Sequence, residues 1–216
     1  MLWDWLRLGG PAMWVLFGLW LAALTLVTVK CWEFWELRLL RRDFVPRALA
    51  LWRAGQAEQA QALLAAEPGP LAQVLAQALR VLGEPGVGEA QARERIAAAA
   101  QARLESLRSF FRPLEVISQI APLLGLLGTV LGMIDAFQAL QAAGSAADPA
   151  LLSAGIWEAL LTTAAGLVIA IPVIAVLNAF ERLVDGQQLA MEQALTELLT
   201  QPLPAVDRAP RRLHAT

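Results

Sequence analysis

Residues 155–172, GIWEALLTTAAGLVIAIP, place Glu158, Thr162 and Thr163 at the head of a run that is otherwise apolar. Polar groups in a membrane-crossing helix are costly and usually face protein or water, so these three are candidates for a functional path. At about 100° per residue Glu158, Thr162, Gly166, Ile169, Ala170 and Val173 share a helix face, with Thr163 at its border. A hydroxyl both donates and accepts a hydrogen bond, so it can hold water or pass a proton without carrying charge. A carboxylate at the mouth of such a path can exchange a proton with water. Thr129, in an earlier apolar stretch, lies six residues inward of Asp135, and Thr163 lies five residues inward of Glu158. At about 1.5 Å per residue both threonines sit roughly 8 Å below their acids, at similar depth on antiparallel helices. The competing reading makes Glu158 a boundary residue in interfacial water and lets the threonines bond their own helix carbonyls. Spacing alone leaves both open.

The elements that must position these side chains are membrane helices. The chain has 216 residues, of which 57% are hydrophobic and only 17% charged, with mean hydropathy +0.53. That is too little charge for a soluble domain of this size. Three stretches, 9–29, 116–134 and 159–180, carry no charged side chain, and each approaches the roughly 20 apolar residues that a bilayer core requires. Residues 30–115 carry twelve Lys and Arg, the part after Phe180 four, and the connector 135–158 none. Cytoplasmic loops retain basic residues. The pattern therefore predicts a periplasmic N-terminus (1–10), spans at 11–29, 116–138 and 155–180, a cytoplasmic helical domain (30–115), a periplasmic connector (139–154) and a cytoplasmic tail (181–216). Trp3 and Trp5 at one end of the first span, Trp32 and Trp35 at the other, and Trp157 on the third fit interfacial belts. A retained N-terminal anchor is expected rather than a cleaved signal peptide.

The second span shows a stripe of small side chains: Ala121, Gly125, Gly128, Gly132, Ala136 and Ala139, with Thr129 as its polar member. Such stripes let another helix backbone approach closely, and Gly166 offers the same on the third span. Pro122 and Pro172 interrupt their helices, which a membrane tolerates where neighbours satisfy the freed carbonyl. Ala121, Gly125, Gly128, Gly132, Gly166 and Pro172 are the expected helix-packing positions.

Between the first two spans the sequence predicts helices over 43–53, 56–66, 71–82 and 89–112. Gly55, "EPGP" at 67–70 and "GEPGVG" at 83–88 divide them, and Pro113 ends the last. One helix pair without a second copy at fixed period argues for a bundle rather than a helical repeat. "GEPGVG" lacks the Lys and the preceding strand of a phosphate loop. Ten acids nearly balance twelve basic residues there, which disfavours nucleic acid as a partner. Cys31 is the lone cysteine and His214 the lone histidine, so neither an internal disulfide nor a metal site is expected. With no nucleophile–base constellation, the chain reads as a non-enzyme needing no cofactor.

"IAPLLGLLGTVLGMIDAF" (120–137) followed by "GIWEALLTTAAGLVIAIPVIAVLNAF" (155–180) closely resembles the two signature spans of the MotA/TolQ/ExbB proton-channel family, most closely its ExbB/TolQ branch. The resemblance implies an all-α polytopic protein of the bacterial inner membrane, with three transmembrane helices and a helical cytoplasmic bundle, forming a homo-oligomeric ring, a pentamer in the well-studied cases. It implies a single-span ExbD/TolR-like partner, whose aspartate is the main proton carrier, and force passed to a TonB- or TolA-like periplasmic protein, the whole assembled in membrane lipid. Matched to the family pattern, the ion-pathway positions are Thr129, Glu158 and Thr163, with Thr162 less directly supported. Asp135 departs from the pattern, and Ton-type and Tol-type systems stay nearly balanced. A MotA-like stator fits less well because that branch generally has four spans. The rival from another class is a non-conducting scaffold that recruits a partner through its cytoplasmic helices.

Overall fold

The computed structural model describes residues 10–143 and 149–200. The expectations for Trp3, Trp5, the middle of the connector and His214 lie outside these residues. Seven helices account for nearly all of the described chain, and no strand occurs among them: α1 (Gly10–Glu36), α2 (Phe44–Arg53), α3 (Ala57–Ala65), α4 (Pro70–Gly83), α5 (Glu89–Leu107), α6 (Phe111–Ala143) and α7 (Pro149–Thr200). Three long apolar helical stretches, built on α1, α6 and α7, can cross a membrane. The chain divides into two units: residues up to Trp32 with Ser109–Glu181, and Glu33–Arg108 with the residues from Arg182 on.

In the first unit α1 buries one stripe, Met13, Leu16, Ala23 and Lys30, and leaves most of its other large apolar side chains exposed, as suits a helix whose remaining surface meets lipid or further protein. Thr25 and Thr28 donate to Leu21 O and Leu24 O of their own helix, so they can face hydrocarbon without an unmet donor. At the other end Lys30 is fully buried; its Nζ donates to Ser109 Oγ at 3.1 Å and stands 5.7 Å from the Phe111 ring centroid. The Phe111 ring in turn stacks on Phe180, with centroids 6.2 Å apart. One set of contacts thus ties α1, α6 and α7 together at this end of the first unit.

The second unit has its own core. Trp52 and Leu49 of α2, Leu64 of α3, Leu71, Leu75 and Leu79 of α4 and Ile96 of α5 pack together. Ala190, Met191, Ala194 and Leu198 from the last turns of α7 join the same cluster. The residues expected as a tail after Phe180 therefore continue a helix to Thr200, and their spacing of 3 to 4 supplies a buried stripe. Arg42 donates to Gly186 O at 2.9 Å, Arg108 pairs with Asp185 at 3.1 Å and Arg53 pairs with Glu197. These ion pairs are exposed, so each adds at most about 1 kcal/mol.

Two boundaries differ from the sequence expectation. The fourth helix between the first two spans, α5, ends at Leu107 rather than Arg112, and Phe110 adopts φ 67 before α6 begins at Phe111. Pro113 does not stop a helix. It is the third residue of α6, where backbone N–H groups have no intrahelical acceptor to lose. The glycine loops behave as expected of breakers, with Gly55 at φ +73 and Gly86 at φ +91. Because that region is strained for any residue with a Cβ, Gly86→Ala should lower the stability of the second unit by about 1 kcal/mol. Its denaturation midpoint would fall, whereas Gly83→Ala, where φ is ordinary and no atom lies within 4 Å of the added carbon, would leave it unchanged.

Candidate functional site

The signature spans α6 and α7 run antiparallel, and glycine sets how close they come. A Cβ on Gly166 would lie 2.5 Å from Ala121 O, and one on Gly125 would lie 2.8 Å from Thr162 O. One on Gly128 would lie 2.5 Å from Thr162 Oγ1, and one on Gly132 would lie 3.2 Å from Ala159 Cβ. Toward the connector a Cβ on Gly155 would meet that of Ala136 at 2.4 Å. Five successive contacts of this kind put two backbones in direct apposition along the membrane depth. Ala121, Gly125, Gly128, Gly132 and Gly166 all lie in this seam. Pro172 is exposed and takes no part in it within the chain. Gly155 and Ala159 also belong to the seam. Their spacing with Thr162 and Gly166 of 4, 3 and 4 residues repeats on α7 the small-residue stripe seen on α6.

The polar residues sit on and beside the seam. Thr162 is buried; its Oγ1 stands 2.7 Å from Ala159 O and 3.2 Å from Gly125 O, so its single proton is shared between its own helix and the neighbour. Thr163 is half-buried and donates to the same Gly125 O at 3.1 Å. One carbonyl of α6 thus receives both threonines of α7. Thr129 is half-buried and donates to Leu126 O of its own helix at 2.6 Å. Glu158 is half-buried, with no hydrogen bond or ion pair among the described residues. Asp135 is exposed and, six residues beyond Thr129, points about 120° away from it around α6.

Gly132 faces Ala159 and Gly128 faces Thr162, so Thr129 stands level with Leu161, about 3 Å along the helix axis from Thr163. The sequence count takes Asp135 and Glu158 as level, whereas the packing of Ala136 on Gly155 sets Asp135 about two residues beyond Glu158 toward the connector. From the connector end of the pair the axial order is Glu158, Thr129, Thr163; Thr129 and Thr163 flank the seam on one side, and Glu158, about 140° from Thr163 around α7, flanks it on the other. Two hydroxyls whose protons are held by carbonyls still offer oxygen lone pairs to water or to a neighbouring acid. A half-exposed carboxylate at hydrocarbon depth calls for water or protein beside it.

Comparison with known proteins agrees with these spans. The description of the MotA/TolQ/ExbB proton channel family matches residues 66–193. The chain is 30% identical over 176 residues to the putative biopolymer transport protein ExbB-like 3 of Synechocystis sp., a match covering 81% of this chain and 82% of that protein. It is 45% identical over 75 residues to the biopolymer transport protein exbB1 of Vibrio cholerae, covering 35% of this chain and 33% of that protein. It is 40% identical over 75 residues to the Tol-Pal system protein TolQ of Haemophilus influenzae, covering 35% and 32% respectively.

Proposed function

Since the chain belongs to the MotA/TolQ/ExbB proton channel family, we propose that it is the proton-conducting stator subunit of an inner-membrane motor. In this reading its copies form a ring, a pentamer by analogy with the family, with the N-terminus periplasmic and the C-terminus cytoplasmic. A single-span ExbD/TolR-like partner brings a membrane-buried carboxylate against the α6–α7 edge. Protons pass between that carboxylate and the oxygens of Glu158, Thr129 and Thr163, and the movement is delivered to a TonB- or TolA-like periplasmic protein.

The observation that carries the reading is that Glu158, Thr129 and Thr163, each half-buried, flank a seam of glycine and alanine whose polar member is Thr162. Groups of this kind against lipid alone would cost several kcal/mol for the acid. A partner with a complementary acid, and the water it retains, removes that cost. Thr162 is different: buried in the seam, it is a packing residue that fixes the carbonyl to which Thr163 is bonded.

The test is proton flux into inside-out membrane vesicles holding the full chain and the one-span protein that copurifies with it. Thr163→Val and Glu158→Ala should each lower flux by about a hundredfold, the scale lost with a positioned proton-transfer group. Membrane levels of both variants should be normal. Full flux in both would remove the proposed path. A non-conducting scaffold has one observation in its favour, an 810 Å³ groove lined by Arg80, Arg103, Gln61 and Gln77 in the second unit. On that reading Arg80→Glu with Arg103→Glu would abolish function while Thr163→Val would not.

A further inference from the structure

Glu115 and Gln119 stand one turn apart near the start of α6, both exposed, with Gln119 Nε2 donating to Glu115 Oε1 at 3.3 Å. Two contacts fix their depth. Phe111 stacks on Phe180, and Ala121 lies against Gly166. The pair is therefore level with the part of α7 between those anchors, where residues 167–177 carry no polar side chain. Nearby on α6, Val116, Ile120 and Leu123 are exposed and apolar. A carboxylate and an amide exposed at that depth are costly against lipid, so the arc they occupy faces water or protein.

The same arc holds the outer threonine. At 100° per residue Glu115, Gln119 and Thr129 fall within about 80° of one another around α6, while Asp135 falls on the far side. Glu115 and Thr129 are separated by fourteen residues, about 21 Å of helix. One face of α6 thus carries a hydroxyl toward the outside and a carboxylate toward the inside.

We propose that Glu115 is the inner proton acceptor of this pathway and that Gln119 is its positioning residue, an inference that rests on the proton-conducting reading above. A proton arriving along water binds one carboxylate oxygen of Glu115. The same proton then leaves from that oxygen to cytoplasmic water, which restores the carboxylate and leaves no other product. The Gln119 amide, bonded to the carboxylate, holds it along the arc rather than folded back toward Arg112, which is also exposed at the start of α6.

Two measurements on the full chain test this. In a Cys31→Ser background, needed because Cys31 is exposed, Gln119→Cys and Ile120→Cys, which is at the same depth but about 100° away around α6, are treated in inside-out vesicles with a membrane-impermeant thiosulfonate. Only a thiol in water forms the reactive thiolate, so Gln119→Cys should react at least about tenfold faster than Ile120→Cys. Equal, slow reaction at both positions would mean that the arc is sealed by lipid or another helix, and the proposal would be overturned. Second, Glu115→Gln, which keeps shape and volume, should lower proton flux about tenfold or more, and Glu115→Asp should retain most of it. Unchanged flux in Glu115→Gln would overturn the acceptor role. If Thr163→Val and Glu158→Ala abolish flux while Glu115→Gln does not, this inference alone fails. If none of the three lowers flux, the pathway reading fails and takes this one with it.

Discussion

Replacing Gly166 with leucine should remove folded protein from the membrane altogether. The first added carbon would lie 2.5 Å from Ala121 O, 3.2 Å from Ala121 C and 3.3 Å from Gly125 Cα, so every nearest atom belongs to the backbone of α6. No rotamer change relieves a clash with backbone, and α6 can move away only by opening the seam. Opening it separates Gly125 O from the hydroxyls of Thr162 and Thr163 and exposes Gly128 and Gly132 with nothing to fill the gap. Overpacking alone costs about 1–3 kcal/mol. Adding the lost hydrogen bonds and contacts brings the total to about 4–6 kcal/mol, comparable to the whole stability of many domains. Gly128→Ala meets Thr162 Oγ1 at 2.5 Å and its Cβ at 2.7 Å; the hydroxyl can turn but the Cβ moves only with its backbone, so this single added methyl should still cost about 1–3 kcal/mol. Gly18→Leu, on α1 with nothing within 4 Å, should be silent. The check is the level of each variant in purified membranes and its resistance to unfolding in detergent. Normal levels of Gly166→Leu would mean that α6 and α7 do not depend on this seam.

How much of the fold is legible in the sequence depends on which force fixes each feature. The three spans follow from hydropathy, because a bilayer imposes length and apolarity on single stretches of chain. The seam on α6 was readable as well, since Ala121, Gly125, Gly128 and Gly132 repeat with the helix period and no other residue type permits that approach. Its partner on α7 was half-seen: Gly166 stood out, but Gly155 and Ala159 did not, because a charged residue and a tryptophan lie between them and mask the period. Register was not readable. It is set by which small residue meets which, a contact between positions 19 to 45 apart in sequence, and Asp135 and Glu158 are not level. The end of α5 was misplaced because Pro113 is ambiguous in sequence: it can follow a helix or sit in the first turn of the next. The α7 extension was passed over because charges after Phe180 end the hydropathy signal. A second signal takes over there, with Val184, Gln187, Met191, Ala194 and Leu198 recurring every 3 to 4 residues and all buried.

That second stripe supports the other large effect. Met191→Asp should unfold the second unit, although the residue lies ten positions beyond Glu181, where the membrane unit ends. Met191 is 1% exposed and lies in the cluster with Leu75, Leu79 and Ile96. The two buried side-chain oxygens without a partner among the described residues, on Gln73 and Gln187, are acceptors, so they offer an added carboxylate nothing. Losing the thioether's packing costs about 2–4 kcal/mol, and an unpaired buried charge adds several more unless it is neutralised. Met191→Leu conserves volume and should cost less than about 1.5 kcal/mol. Leu189→Asp, at a residue 54% exposed, should be near neutral. Limited trypsin digestion of inside-out vesicles reads the outcome, because Arg80, Arg93, Arg95 and Arg103 lie on α4 and α5 and are cut only when those helices open. Rapid cleavage there in Met191→Asp, with Leu189→Asp resembling the unaltered chain, would establish that the last turns of the third membrane helix are structural members of the second unit. Equal protection in all three variants would mean that the bundle of α2 to α5 holds itself together without α7.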